Sequence, residues 1–194
     1  MEEIRLPKPE LKSDVSLEET ISSRRSVRDY SPEELTLVEI GQLLWASQGI
    51  TDAKRSLRAA RSADALYPLE LYLAKNDGVY RYISRRHGLK RISEKNIKRA
   101  LADASRNQRF VEDAPVDIVI CAAYERVTAR YGERGVRYTH VEVGHAAQNV
   151  HLEAVRLGLS SVPVGAFDDR AISKILNLPK EEKPIYIIPV GHEG

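Results

Sequence analysis

Three arginines, Arg24, Arg25 and Arg28, stand within five residues, with the hydroxyl of Ser26 among them. Planar guanidinium groups match the oxygens of a phosphate, so this cluster has the chemistry of an anion grip. Taken alone, it reads more simply as a solvated, basic helix end that complements the helix dipole. A second stretch, residues 58–70, leads from a loop containing Ser62, Ala63, Asp64, Ala65 and Leu66 into a strand. Its small residues would let backbone approach a flat ligand, although an ordinary strand entry has the same composition. A third, Val162-Pro163-Val164-Gly165-Ala166-Phe167, runs from a strand into a glycine turn whose amides could face a ligand edge.

Other clusters invite chemistry less strongly. His140, His145 and His151 are five and six residues apart on one helical stretch, which spreads them around it. Glu142 and His145 form a single Glu-x-x-His pair, where a di-iron site needs two and further carboxylates. No metal site is expected, and these histidines read as surface or core residues. Arg85-Arg86-His87 with Lys90-Arg91 makes a basic patch that could attract a nicotinamide cofactor's phosphate, or simply be a solvated loop. Tyr67, Tyr124, Tyr131 and Tyr138 could stack on a ligand, or pack.

The composition limits the function classes. The chain has 194 residues, 42% apolar and 30% charged, enough to bury a core without cross-links. A net charge of +2 is too small for bulk nucleic-acid binding, so any basic site is local. The single cysteine, Cys121, lies in an apolar run and reads as a small core residue; it excludes an internal disulfide and points to a reducing compartment. With neither a signal-like N-terminus nor an apolar span of membrane length, a cytoplasmic protein without membrane partners is expected.

The elements that must position these residues follow from caps and periodicity. Residues 1–15, with Pro7 and Pro9, read as an extended arm on a single 194-residue domain. Ser16-Leu17-Glu18-Glu19 is a capping box opening a short helix, and Ser31-Pro32-Glu33-Glu34 predicts the start of a second, ending near Gly49. Residues 69–74 and 79–83 flank Asn76-Asp77-Gly78 as a hairpin. Ser93 is expected to start a helix through Ile97 and Leu101. Residues 116–122 read as a strand buried on both faces. Val143, Ala146, Ala147, Val150, Ala154 and Leu157 place a long helix over about 138–158. Strands at 161–164 and 185–190 flank a helix starting near Asp168. The irregular alternation predicts an α+β fold.

Taken in order, residues 24–31, 62–70, 144–150 (Gly-His-Ala-Ala-Gln-Asn-Val) and 158–167 resemble the nitroreductase family, particularly its SagB-type dehydrogenase-like subgroup. The resemblance spans residues 17–191. It implies a central mixed sheet flanked by helices, a homodimer, and FMN held between protomers. By resemblance Arg24, Arg25, Ser26 and Arg28 would contact the phosphate, ribityl chain or pyrimidine side of the flavin. Ser62, Ala63, Asp64, Ala65 and Leu66 would line the ring from the partner chain. Gly165 and Ala166 would place amides near its N5 edge, and Gln148 and Asn149 would add contacts from the long helix.

The implied activity is an FMN-dependent oxidoreductase. Electrons would pass from NADH or NADPH to a nitroaromatic, a quinone or a similar small molecule, or the flavin would dehydrogenate a substrate. Hydride transfer needs orientation and exclusion of water more than an acid or base, so no catalytic side chain is expected. Two residues depart from the family pattern. Arg61 stands where proline is usual, and Asp64 stands where glycine is usual and positive φ or close approach is in play. A carboxylate there would also oppose the negative charge of a reduced flavin. These departures keep open the alternative of a redox-impaired flavin-binding or interaction protein on the same fold.

Overall fold

All eight residues of one strand, Val116–Ala123, are buried, and their alternation divides the core in two. Val116, Ile118, Ile120 and Ala122 join Leu69, Leu71 and Leu73 on one face; Val119 and Cys121 join Tyr72 and Ala74 on the other. A side-chain period of two with apolar residues at both phases forces this arrangement. Each fully buried aliphatic side chain contributes roughly 1.5–3 kcal/mol.

The computed structural model describes residues 3–194. Its main sheet contains seven strands: β1 (Glu3–Arg5), β4 (Leu69–Lys75), β5 (Gly78–Ile83), β6 (Gly88–Ser93), β7 (Val116–Ala123), β8 (Ser160–Ser161) and β9 (Glu182–Gly191), in the order β1-β6-β5-β4-β7-β9-β8. A separate pair is formed by β2 (Ile50–Asp52) and β3 (Leu57–Arg58). Helices α2 (Leu37–Gln48) and α6 (Arg134–Arg156) cover one face, while α3 (Lys98–Ala104), α4 (Phe110–Asp113) and α7 (Asp169–Ile175) cover the other. Two further helices, α1 (Leu17–Ser23) and α5 (Glu125–Tyr131), pack along α6. The result is the expected α+β architecture. The sheet is antiparallel in every ladder rather than mixed; a parallel contact occurs as the isolated bridge between Ser26 and Ser161.

Several local expectations are met. Ser16 and Glu19 close the capping box of α1, and Asp168 caps α7 by accepting from the amides of Arg170 and Ala171. The 76–78 turn joins β4 to β5, with Gly78 at φ 146°, where a Cβ would meet the Ser93 carbonyl at 2.3 Å. Gly49 ends α2; a Cβ there would lie 2.2 Å from the Trp45 ring.

Three expectations are corrected. Helix α2 does not start at Ser31: Thr36 is its cap, completing a box with Glu39. The Ser31 amide donates instead to the His192 carbonyl at 2.9 Å, and Tyr30 bridges Glu193, so this backbone belongs to the sheet edge. Ser93 ends a strand rather than opening a helix, and α3 begins at Lys98. That strand, β6, takes up Lys90 and Arg91, which read from the sequence as part of a solvated basic loop. Of the extended arm expected over residues 1–15, the first two lie outside the described residues, and Glu3–Arg5 run extended as edge strand β1 beside β6.

Candidate flavin site

The arginine cluster lies where α1 ends. Arg24 is its C-cap, with extended ψ (124°), and the chain then runs beside β8, where the Val27 amide donates to the Ser161 carbonyl at 3.2 Å. The three guanidiniums take different roles. Arg25 turns back on its own helix, donating from Nη1 to the carbonyls of Ser22 (2.9 Å) and Arg24 (2.7 Å), which satisfies carbonyls that the helix end leaves open. Arg28 lies 5.7 Å over the ring of Phe110. Arg24 donates to His151 Nε2 at 3.1 Å, and His151 Nδ1 stands 2.5 Å from Ser161 Oγ. Ser26 is exposed.

Gly165 and Ala166 are linked to this group through residues 108–110. Their segment leaves the sheet just after the bridge between Val164 and Ile187, and Gln108 donates to the Ala166 carbonyl at 3.4 Å, two residues before the Arg28–Phe110 contact. Both residues are exposed, and among the described residues their amides donate to no protein acceptor. A Cβ on Gly165 would press on the Tyr186 ring at 3.2 Å, so the ring would have to give by a few tenths of an ångström to admit a larger residue. Arg28, over Phe110, and Ala166, bonded by Gln108, thus touch the same short segment, residues 108–110.

Residues 62–66 form a second group. A short 3-10 turn, Ala63–Ala65, carries positive φ at Asp64 (48°) and Ala65 (52°), followed by Tyr67 (46°). Left-handed backbone costs a residue with a Cβ roughly 1–2 kcal/mol, so contacts must hold the loop. The Tyr67 amide donates to Ser62 Oγ at 2.9 Å, Arg126 donates to the Tyr67 carbonyl at 3.0 Å, and Arg58 stacks 4.7 Å over the Tyr67 ring. Asp64 pairs with Arg130 and accepts from the Tyr131 hydroxyl, each at 2.5 Å.

Beside this loop a cavity of about 230 Å³ is lined by Arg61, Asp64, Tyr131, Tyr138, Glu142 and His145, among others. Glu142 is 2% exposed, and its Oε1 has no hydrogen-bond partner. Burial pushes its pKa up to about 7, against the pull of the Ser62 hydroxyl and of Arg58 and Arg61.

Among the described residues no hydrogen bond, ion pair or ring contact joins residues 62–66 to residues 24–28. Helix α6 spans the two: Glu142 faces the loop, and His151, nine residues on, reaches Arg24, a separation of about 13 Å along the helix. Gln148 is exposed between them, while Asn149 donates to the Ala46 carbonyl at 2.9 Å and so ties α6 to α2. Arg130 carries no mark in the sequence; Tyr131 reads there as a stacking or packing ring, and Glu142 and His151 enter only as metal-ligand candidates that the spacing does not support. For the last two a signal existed, since both are polar residues on the apolar stripe of α6, beside Val143 and Val150.

The donor set suits a phosphorylated, flat, ring-bearing ligand: guanidiniums at one end, free amides in a glycine turn nearby, and a loop of small residues. The comparison with known proteins identifies the lineage. The nitroreductase family model matches residues 21–192. The chain belongs to the nitroreductase family. It is 45% identical to the nitroreductase-like protein MJ1384 of Methanocaldococcus jannaschii, over 98% of this chain and 96% of that one. The crystal structure of a nitroreductase-like protein from Ralstonia eutropha superposes with a TM-score of 0.90 at 26% identity, covering 99% of this chain and 90% of that chain. The NADPH-flavin oxidoreductase of Vibrio harveyi is 27% identical over 110 residues, 53% of this chain and 46% of that enzyme. This nitroreductase relationship supports an oxidoreductase working with a flavin. Among the described residues no helix is long and apolar enough to cross a membrane.

Proposed function

We propose that the chain is an FMN-dependent oxidoreductase acting as a homodimer, passing electrons from NADH or NADPH to a nitroaromatic, a quinone or a similar small-molecule acceptor. The observation that carries this reading is that Arg28 and Ala166 meet the same short segment, residues 108–110, while the amides of Gly165 and Ala166 donate to no protein acceptor among the described residues. When bound, FMN supplies the hydride and electron chemistry. The chain supplies the rest. Arg24 and Arg28 hold the phosphate or the pyrimidine side, and a cation near the latter favours the charge that develops on reduction. The Gly165 and Ala166 amides orient the ring edge. Residues 62–66 cover the ring of the flavin held by the other protomer and keep water away.

The separation of the two groups within one chain supports the homodimer, because each pocket needs a loop from elsewhere. So do the exposed apolar residues Leu17 and Ile21 on α1 and Val136 and Val141 on α6, which a monomer would leave in water. The pairing of Asp64 with Arg130 weighs against the redox-impaired alternative, since the carboxylate is already compensated. Sedimentation velocity of the FMN-loaded protein, followed at the flavin absorbance, tests the reading. The flavin should travel with a dimer. Flavin travelling with a folded monomer would reject the two-chain site.

A further inference from the structure

We propose that His151 is a positioning residue that holds Arg24 for the phosphate of the flavin, and so sets the preference for FMN over riboflavin. The inference rests on the FMN reading above. It starts from a polar residue where the α6 pattern calls for an apolar one: His151 is 3% exposed on a stripe shared with Ala147, Val150 and Ala154. Its two ring nitrogens have different partners. Arginine has no acceptor, so the 3.1 Å contact requires Nε2 to accept from Arg24 Nη1. The proton then sits on Nδ1, which donates to Ser161 Oγ at 2.5 Å. Burial, helped by the Arg24 charge, pushes the imidazole pKa down to about 4, so this neutral tautomer persists at neutral pH.

Ser161 acts on the same cluster twice. Its hydroxyl fixes the ring that holds the Arg24 head group, and its carbonyl accepts from the Val27 amide, fixing the backbone that follows Arg24. Neither Arg25, bound to its own helix, nor Arg28, over Phe110, is held by a buried side-chain acceptor. Arg24 is thereby ordered before a ligand arrives, with its remaining N–H groups available. An arginine left to rotate would lose side-chain freedom on binding, and the affinity would fall accordingly.

The test measures FMN and riboflavin dissociation constants by flavin fluorescence on apo-protein. It uses the parent, Arg24→Ala, His151→Gln, His151→Met and the Arg24→Ala/His151→Met double variant. Methionine fills the space without a comparable acceptor, and the Gln amide oxygen can still accept from Arg24. His151→Met should weaken FMN roughly five- to tenfold while riboflavin changes by less than about twofold. His151→Gln should retain most of the FMN affinity, and the double variant should bind FMN no more weakly than Arg24→Ala. Equal losses for both flavins in His151→Met, or an undiminished His151→Met effect in the Arg24→Ala background, would overturn the positioning role while leaving the phosphate grip standing. If Arg24→Ala itself treats the two flavins alike, the phosphate assignment fails first and takes this inference with it.

Discussion

Arg130 Nε lies 2.5 Å from Asp64 Oδ2, in a loop where Asp64 holds a left-handed backbone conformation. The pairing joins a residue of the 62–66 loop to the C-terminal turn of α5, and Tyr131 adds a hydroxyl to the same oxygen. The two properties that make glycine usual at this position, freedom at positive φ and absence of charge, are thus met differently here. Aspartate tolerates the conformation better than most residues, and its charge is compensated by a partner far along the chain.

That compensation predicts how the flavin's reduction potential responds. Asp64→Gly should raise it, because Arg130 is left without its counter-charge and a lone cation favours the anionic reduced flavin. Arg130→Gln should lower it, because an uncompensated carboxylate opposes formation of an anionic reduced flavin. Spectroelectrochemistry of both variants checks this. A rise in Asp64→Gly with no fall in Arg130→Gln would show that the pair does not neutralise the site.

Glu142 makes stability depend on pH. Its folded-state pKa, pushed up to about 7, lies above the ordinary 4.5, so its favourable contribution is fully present below 4.5 and lost as pH rises through 7. Glu142→Gln should therefore gain on the parent between pH 5 and pH 8, by up to about 3 kcal/mol. Urea midpoints at the two pH values measure this. A gap that does not change with pH would mean that Glu142 ionises freely in the fold.

The start of α2 gives a mutational test of its own. Thr36→Ala removes the oxygen that accepts from the Glu39 amide and should cost about 1 kcal/mol. Ser31→Ala should cost only a few tenths, since the Ser31 side chain caps no helix. Chemical denaturation of both variants decides the matter. A larger loss from Ser31→Ala would contradict the assigned cap.

These residues show where the sequence is informative. Strand β7 and helix α6 are legible because unbroken apolar periodicity leaves one way to bury them. Ser31 and Thr36 both begin a hydroxyl-x-x-Glu pattern, and local chemistry cannot choose between them. The choice is made by the His192 carbonyl, which claims the Ser31 amide. Strand β6 was hidden because Lys90 and Arg91 interrupt its apolar pattern; in the fold Arg91 lies over the Tyr80 ring at 5.6 Å, across the pairing of β5 with β6. At the site, residue types were readable but partners were not. Arg25 takes the basic helix-end role that its position suggests, but nothing in residues 24–28 says that Arg24 will meet His151. That contact is a tertiary fact, set by where α6 packs against α1.

The proposed passage of electrons through FMN is tested most directly by anaerobic titration of the FMN-loaded protein with NADH and with NADPH. The flavin's visible absorbance should bleach with one equivalent of at least one nicotinamide, and return on addition of a quinone or a nitroaromatic. Bound flavin that keeps its oxidised spectrum through an excess of both reductants would contradict the account.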